Sequence, residues 1–185
     1  MPRPAQKDAV DFLHDQHDEV RALFLSVATT VGRPRRRAFE SLVRLLAMHE
    51  TAEEMVLYPA VKAGGDAWKR AAKARLAEED RAKKTLAALE KLDPDSPQFA
   101  DLFVAFRADV EAHAEREEAE IFPMLESTQD EGRLEMMTKA LRADEAVAPT
   151  HAHASAPESA LGNIVTGPAV AVVDRVRDAI KSASN

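Results

Sequence analysis

His49-Glu-Thr-Ala-Glu53-Glu54-Met-Val-Leu-Tyr58-Pro59 returns later in the chain as His113-Ala-Glu-Arg-Glu117-Glu118-Ala-Glu-Ile-Phe122-Pro123. Both copies read His, three residues, Glu-Glu, three residues, an aromatic and Pro, and every shared position is offset by 64 residues. On a helix, residues four apart lie one turn apart on one face, so each copy sets an imidazole beside a carboxylate. Imidazole and carboxylate are both metal donors, and the pair reads as a ligand pair.

The surroundings of each pair sharpen that reading. The second copy lies on the seam Phe103, Phe106, Val110, His113, Glu117, Ile121, Met124, and the first on Leu42, Leu46, His49, Glu53, Val56, Ala60. Both are apolar stripes at helical period with His and Glu set into them. A buried carboxylate without a partner is costly, and no Lys or Arg falls on either stripe to pair with it. A bound cation is the expected solution. The second glutamate of each doublet, Glu54 or Glu118, falls off the seam and is expected to matter little for metal content.

The 185-residue chain has room for one domain of ordinary size with an appendage. Glycine is scarce, Ala and Leu are plentiful, and β-branched runs are short, which favours an all-α fold. No apolar run approaches the roughly 18 residues of a membrane span, and no signal-peptide core follows the N-terminus, so a soluble, cytoplasmic protein is expected, with no membrane partner. The absence of cysteine excludes disulfides, thiolate metal sites and iron–sulfur clusters, leaving N and O ligands. A net charge of −7 argues against nucleic acid as a partner.

The chain in order predicts a first helix from about Ala5 to Thr30, with the seam Val10, Leu13, His17, Val20, Phe24, Val27, Val31. His17 faces the core, and His14 sits beside the seam. Gly32, Pro34 and the cluster Arg33, Arg35, Arg36, Arg37 read as a solvated loop and helix start rather than a phosphate site. The second helix carries the first motif and is expected to stop at Gly64-Gly65, with Pro59 kinking or ending it and Asp66 capping the next helix. Tyr58 is expected to pack at the edge rather than stack on a metal or bind it. The third helix, about Asp66 to Leu92, holds no histidine. Its inward stripe is Ala72, Glu79, Ala82, Leu86, Leu89, with Arg75 interrupting at the end and Asp80 paired to Lys83 and Lys84 in solvent. Asp93-Pro-Asp-Ser96-Pro97 is a turn with Ser96 as N-cap of a fourth helix running to about Leu125.

Four helices with short connectors predict an up-down-up-down four-helix bundle over residues 1–145. His17 and His49 then lie on adjacent helices, as do Glu79 and His113, and Glu53 and Glu117 are placed to bridge two ions. The predicted metal ligands are His17, His49, Glu53, Glu79, His113 and Glu117. The competing reading is a metal-free helical interaction protein whose His and Glu residues form a satisfied polar network. Residues 146–185 form a C-terminal extension. A short helix at Glu131–Arg142 is followed by a linker rich in Ala, Pro and Ser that contains His151 and His153, which would assist the site only by folding back over it. The stretch Pro168–Lys181 is amphipathic and is expected to dock on the bundle or on a second subunit, giving a homo-oligomer.

From about Asp8 to Leu125 the chain resembles hemerythrin-like proteins, specifically bacterial HHE cation-binding domains. The resemblance rests on His17, both His-x-x-x-Glu-Glu motifs and Leu89-Glu-Lys-Leu-Asp-Pro94. It implies a non-haem di-iron centre, compatible with an oxo or hydroxo bridge. His17 and His49 would bind one iron, His113 the other, and Glu53 and Glu117 would bridge. Donor chemistry alone would also suit manganese or zinc, so the choice of iron comes from the resemblance. The third helix departs from the pattern: Glu78-Glu79 stands where such proteins usually have Glu-His. The resemblance implies handling of a small ligand such as dioxygen, peroxide or nitric oxide. The anionic Glu79 shifts the expectation toward redox chemistry or sensing and away from reversible oxygen transport.

Overall fold

A computed structural model describes residues 7–145 of the chain. His151, His153 and the Pro168–Lys181 stretch lie outside the described residues, as does the expected start of the first helix before Lys7. The architecture is an all-helical up-down-up-down bundle, and its helices begin and end where local chemistry directs. Helix α1, Ala9–Thr29, opens on a capping box: Asp8 accepts from the Val10 and Asp11 amides, and Asp11 accepts from the Asp8 amide. Val10, Leu13, His17, Val20, Phe24 and Val27 are buried along one stripe. Val31 is not part of the seam. The helix ends before it, and Val31 is 71% exposed.

Gly32, at φ +63°, turns the chain into α2, Arg33–Ala52, with Pro34 in its first turn. The arginines here do more than meet solvent. Arg35 donates to the Thr30 and Pro94 carbonyls and pairs with Asp95, and Arg36 pairs with Asp93. The loop leaving α1 is thereby tied to the turn at Asp93–Asp95.

The proline of each motif neither ends its helix nor stands alone as a kink. Proline cannot donate to the helix ladder, and its ring presses on the carbonyl four residues back. The preceding turn widens instead. Glu53–Leu57 forms a π-helical turn closed by the Tyr58 amide on the Glu53 carbonyl, and α3, Tyr58–Lys62, continues through Pro59. The second motif repeats this: α5, Pro97–Arg116, passes through a π turn at Glu117–Ile121, closed from Phe122 to Glu117, into α6, Phe122–Thr128. Between them α4 spans Asp66–Leu89. Its N-cap is Gly65, at φ +113°, so Asp66 is the first helical residue and not the cap. Ser96 does cap α5, accepting from the Phe99 amide. Helix α7, Glu131–Glu145, closes the α1–α2 end of the bundle with Leu134, Met137, Ala140 and Leu141.

α1 packs on α2 and α4 on α5. The apolar core falls into two clusters. One gathers Leu13, Val56, Leu57, Ile121, Phe122 and the α7 residues; the other gathers Phe24, Leu42, Leu86, Phe99, Phe103 and Phe106. The His and Glu residues of the motifs occupy the layer between them. Phe106 is fully buried with its ring 5.7 Å from that of Phe24, and Phe106→Ala is expected to cost about 3–5 kcal/mol of unfolding free energy in a denaturant titration.

Candidate metal centre

Six side chains meet in that layer. α1 contributes His17, α2 His49, α4 Glu79 and α5 His113, while the two π turns contribute Glu53 and Glu117 at their first residues. Widened turns of this kind occur often at functional sites. Donor atoms of His17, His49, Glu53 and Glu117 lie within 4.8 Å of one another, and so do those of Glu53, Glu79, His113 and Glu117. The two quartets share Glu53 and Glu117. Five of the six residues are buried, and the His113 side chain is 12% exposed.

Each histidine is held by its outer nitrogen. His17 Nδ1 lies 2.9 Å from Glu118 Oε1, His49 Nδ1 2.9 Å from Gln16 Oε1, and His113 Nδ1 3.0 Å from Glu78 Oε2. A carboxylate or amide oxygen accepts there, which fixes the ring proton on Nδ1 and leaves the Nε2 lone pair facing inward. The two outer carboxylates are themselves clamped. Arg21 donates to Glu118 at 2.7 Å, and Glu78 is held by Arg75 at 2.9 Å and Arg116 at 2.7 Å. His17 Nε2 and His49 Nε2 then face each other at 3.1 Å. Two lone pairs at that distance repel unless a cation sits between them. Two nitrogens bound at right angles to one ion, each about 2.1 Å from it, stand about 3.0 Å apart.

The carboxylates make the same point. Neither oxygen of Glu53 nor of Glu79 has a hydrogen-bond donor, and Glu117 Oε2 and His113 Nε2 are also without partners. Glu117 Oε2 is 3.5 Å from His17 Nε2 and 3.4 Å from His113 Nε2, and Glu53 Oε1 is 3.4 Å from His49 Nε2. Burial, and then the neighbouring Glu117 and Glu79, push the Glu53 carboxyl well above its ordinary range. Burial, with Glu50 and Glu117, does the same to Glu79. Burial raises Glu117 too, but the imidazoles of His17, His113 and His49 gathered around it outweigh burial and hold that carboxyl down to about 2. Burial lowers His49 to about 3, with His17 adding to the effect. The donor set therefore fits bound metal, and its unpartnered oxygens do not form a closed hydrogen-bond network.

Several residues stand differently from the sequence expectation. Tyr58 is not an edge-packing residue: it is buried, and its hydroxyl donates to Glu117 Oε1 at 2.5 Å. Glu118 is off the seam but holds His17, whereas its counterpart Glu54 turns to Lys83. Lys83 consequently faces the bundle, and only Lys84 pairs with Asp80 in solvent. His14 is half exposed, edge-on to Phe122, with Glu118 3.8 Å away, and is not among the clustered donors. Gln16 and Glu78 were missed, since each sits one residue before a predicted ligand and shares no stripe with it. The signal available was adjacency, because a residue flanking a buried ligand can reach the ligand of the next helix.

Beside the cluster lies a cavity of about 70 Å³ that touches His17, His49, Glu79 and His113; Val20, Leu46, Ala82, Val110 and Ala114 line part of it, and charged side chains such as Arg21, Glu78 and Arg116 line the rest. Glu118→Ala should lower metal affinity about 10- to 100-fold, as measured by competition with a chelator, because His17 loses its orienting partner. Glu54→Ala should change it less than about threefold, Glu54 contacting no histidine ligand. Because Glu53 and Glu79 hold their protons above the ordinary carboxyl range when no metal is bound, metal uptake near neutral pH should release protons, and affinity should fall as pH falls. Calorimetry in buffers of different ionisation enthalpy reads the release directly.

The chain matches the Hemerythrin HHE cation binding domain over residues 8–125, and again over 76–153. It is 28% identical over 134 residues to an uncharacterized hemerythrin-like protein of Schizosaccharomyces pombe, covering 72% of this chain. It spans 66% of that relative's length, just under two thirds. The crystal structure of a hemerythrin HHE cation binding domain-containing protein from Mycobacterium kansasii has the same fold, with a TM-score of 0.68 over 76% of this chain and 86% of that chain at 22% identity. With the first match running the length of the bundle from α1 to the second motif, this chain belongs to the hemerythrin HHE cation-binding domain family.

Proposed function

We propose that this protein binds two iron ions as a non-haem centre and handles a small ligand, dioxygen, peroxide or nitric oxide, for redox chemistry or sensing rather than oxygen transport. The observation that carries the proposal is the pair of donor quartets sharing Glu53 and Glu117. His17 and His49 would hold one ion, Glu79 and His113 the other, and the two shared carboxylates would bridge them. When bound, iron supplies one-electron redox chemistry and a coordination position for the ligand.

The protein's own residues support that chemistry in specific ways. The cavity beside the donors is small enough to restrict the ligand to a few atoms. Burial, reinforced by Glu117, keeps the proton on the Tyr58 hydroxyl, where it is held against Glu117 Oε1. Glu79 supplies a third anionic oxygen donor, and hard, negative donors favour the ferric state. A metal-free polar network is the weaker reading, because such a network would hydrogen-bond the oxygens of Glu53 and Glu79, which receive no hydrogen bond. A cytoplasmic location is part of the proposal; among the described residues no helix is long and apolar enough to cross a membrane.

Elemental analysis and an absorption spectrum of protein expressed in iron-replete medium test the proposal. About two irons per chain are expected, and saturation at a single ion would reject the dinuclear assignment. The reduced protein should oxidise promptly in air. A stable oxygen adduct that releases its oxygen under vacuum would establish a carrier instead.

A further inference from the structure

Lys83 is the cation that the predicted ligand stripes lacked. It lies on α4 one turn beyond Glu79, and its ammonium sits among Glu54, Glu50 at 3.7 Å and Glu79 at 3.9 Å. Glu54 is closest, but at 19% exposure it keeps contact with solvent. Glu79 does not: its side chain is 1% exposed, neither oxygen has a hydrogen bond, and Lys83 is the one cation that forms an ion pair with it among the described residues. At such distances a buried charge is little screened by water or salt.

The six donors comprise three imidazoles and three carboxylates, so Glu79 in place of an imidazole adds one negative charge to the set. An ammonium beside that carboxylate offsets the added charge and draws electron density from the donor oxygen. We propose that Glu79 and Lys83 act as one unit, with Lys83 as the positioned counter-charge that offsets part of the charge Glu79 adds and raises the reduction potential of the metal pair above that of an uncompensated Glu79 ligand. This inference rests on the dinuclear reading above. It assigns Lys83 no contact with metal or ligand; Lys83 acts through Glu79. The sign follows from charge: oxidation adds positive charge to the centre, and a nearby ammonium opposes it.

The test uses the full chain loaded with iron, comparing wild type with Lys83→Met, Lys83→Arg, Glu79→His and the double variant Glu79→His with Lys83→Met. Metal per chain is measured by elemental analysis, and the ratio of oxidised to reduced centre at one fixed applied potential by spectroelectrochemistry. A merely structural lysine would not move that ratio. Lys83→Met should raise it about tenfold, equivalent to ~59 mV for a one-electron couple. Lys83→Arg, which keeps the charge, should stay within about threefold of wild type, and the double variant should return to within about threefold, since it removes one charge of each sign. A Lys83→Met shift below about threefold, or an equal shift in Lys83→Arg, overturns the proposal. If Lys83→Met does not load iron, the double variant should; continued failure there would place the role of Lys83 at Glu50 and Glu54 instead, and overturn it equally. Wild-type protein that holds no iron would refute the dinuclear reading itself, an outcome visible before any variant is made.

Discussion

The structure depends on one constraint: three carboxylates, Glu53, Glu79 and Glu117, are buried in the middle of an apolar bundle without enough donors to satisfy them. Buried unpaired charge is among the costliest features a fold can carry, and it persists where something compensates. The compensation here differs from one carboxylate to the next. Histidines supply nitrogen atoms at 3.4–3.5 Å from Glu53 and Glu117, Tyr58 donates to Glu117, and Lys83 approaches Glu79. What remains unpaired is a set of oxygen and nitrogen donors from Glu53, Glu79, Glu117 and His113 that converge, the arrangement a bound cation would satisfy.

The surrounding framework keeps that layer from collapsing. Apolar clusters on both sides seal it, with aromatic packing of Phe24, Phe39, Phe99 and Phe103 on one side and the α7 cap on the other. The prolines of the two motifs have an effect beyond the loss of a hydrogen bond. By widening the turn before them they place Glu53 and Glu117 at the start of π turns, at equivalent positions on two rods of the bundle. A sequence repeat thus becomes a structural repeat, and the two residues that would bridge two ions are the equivalent residues of that repeat.

Around the donors lies an outer shell of charge that breaks this symmetry. His17 and His113 are each backed by a carboxylate gripped by arginine, whereas His49 is backed by the neutral Gln16. Glu118 and Glu54 occupy matching positions in the two motifs, yet one orients a histidine and the other meets a lysine. The two donor quartets are consequently unlike. One has two imidazoles of its own; the other has an imidazole and a carboxylate shadowed by a cation.

How much of this was legible in the sequence follows from what each feature depends on. The helices, their approximate ends, the repeat and the inward direction of all six clustered residues are local properties. They follow from helical period, from caps such as Asp8 and Ser96, and from breakers such as Gly32 and Gly65. Even Glu79 could be chosen over Asp80 because its stripe holds Ala72, Leu86 and Leu89. The outer partners could not be read this way. Whether Glu118 reaches His17 across 101 residues, or Tyr58 reaches Glu117 across 59, depends on how neighbouring helices are rotated and offset against each other. The same holds for Lys83, which belongs to a solvated face when α4 is viewed alone and turns inward because α2 brings Glu50 and Glu54 alongside. Periodicity within one helix decides which face is buried. Only packing between helices decides which polar atoms meet there.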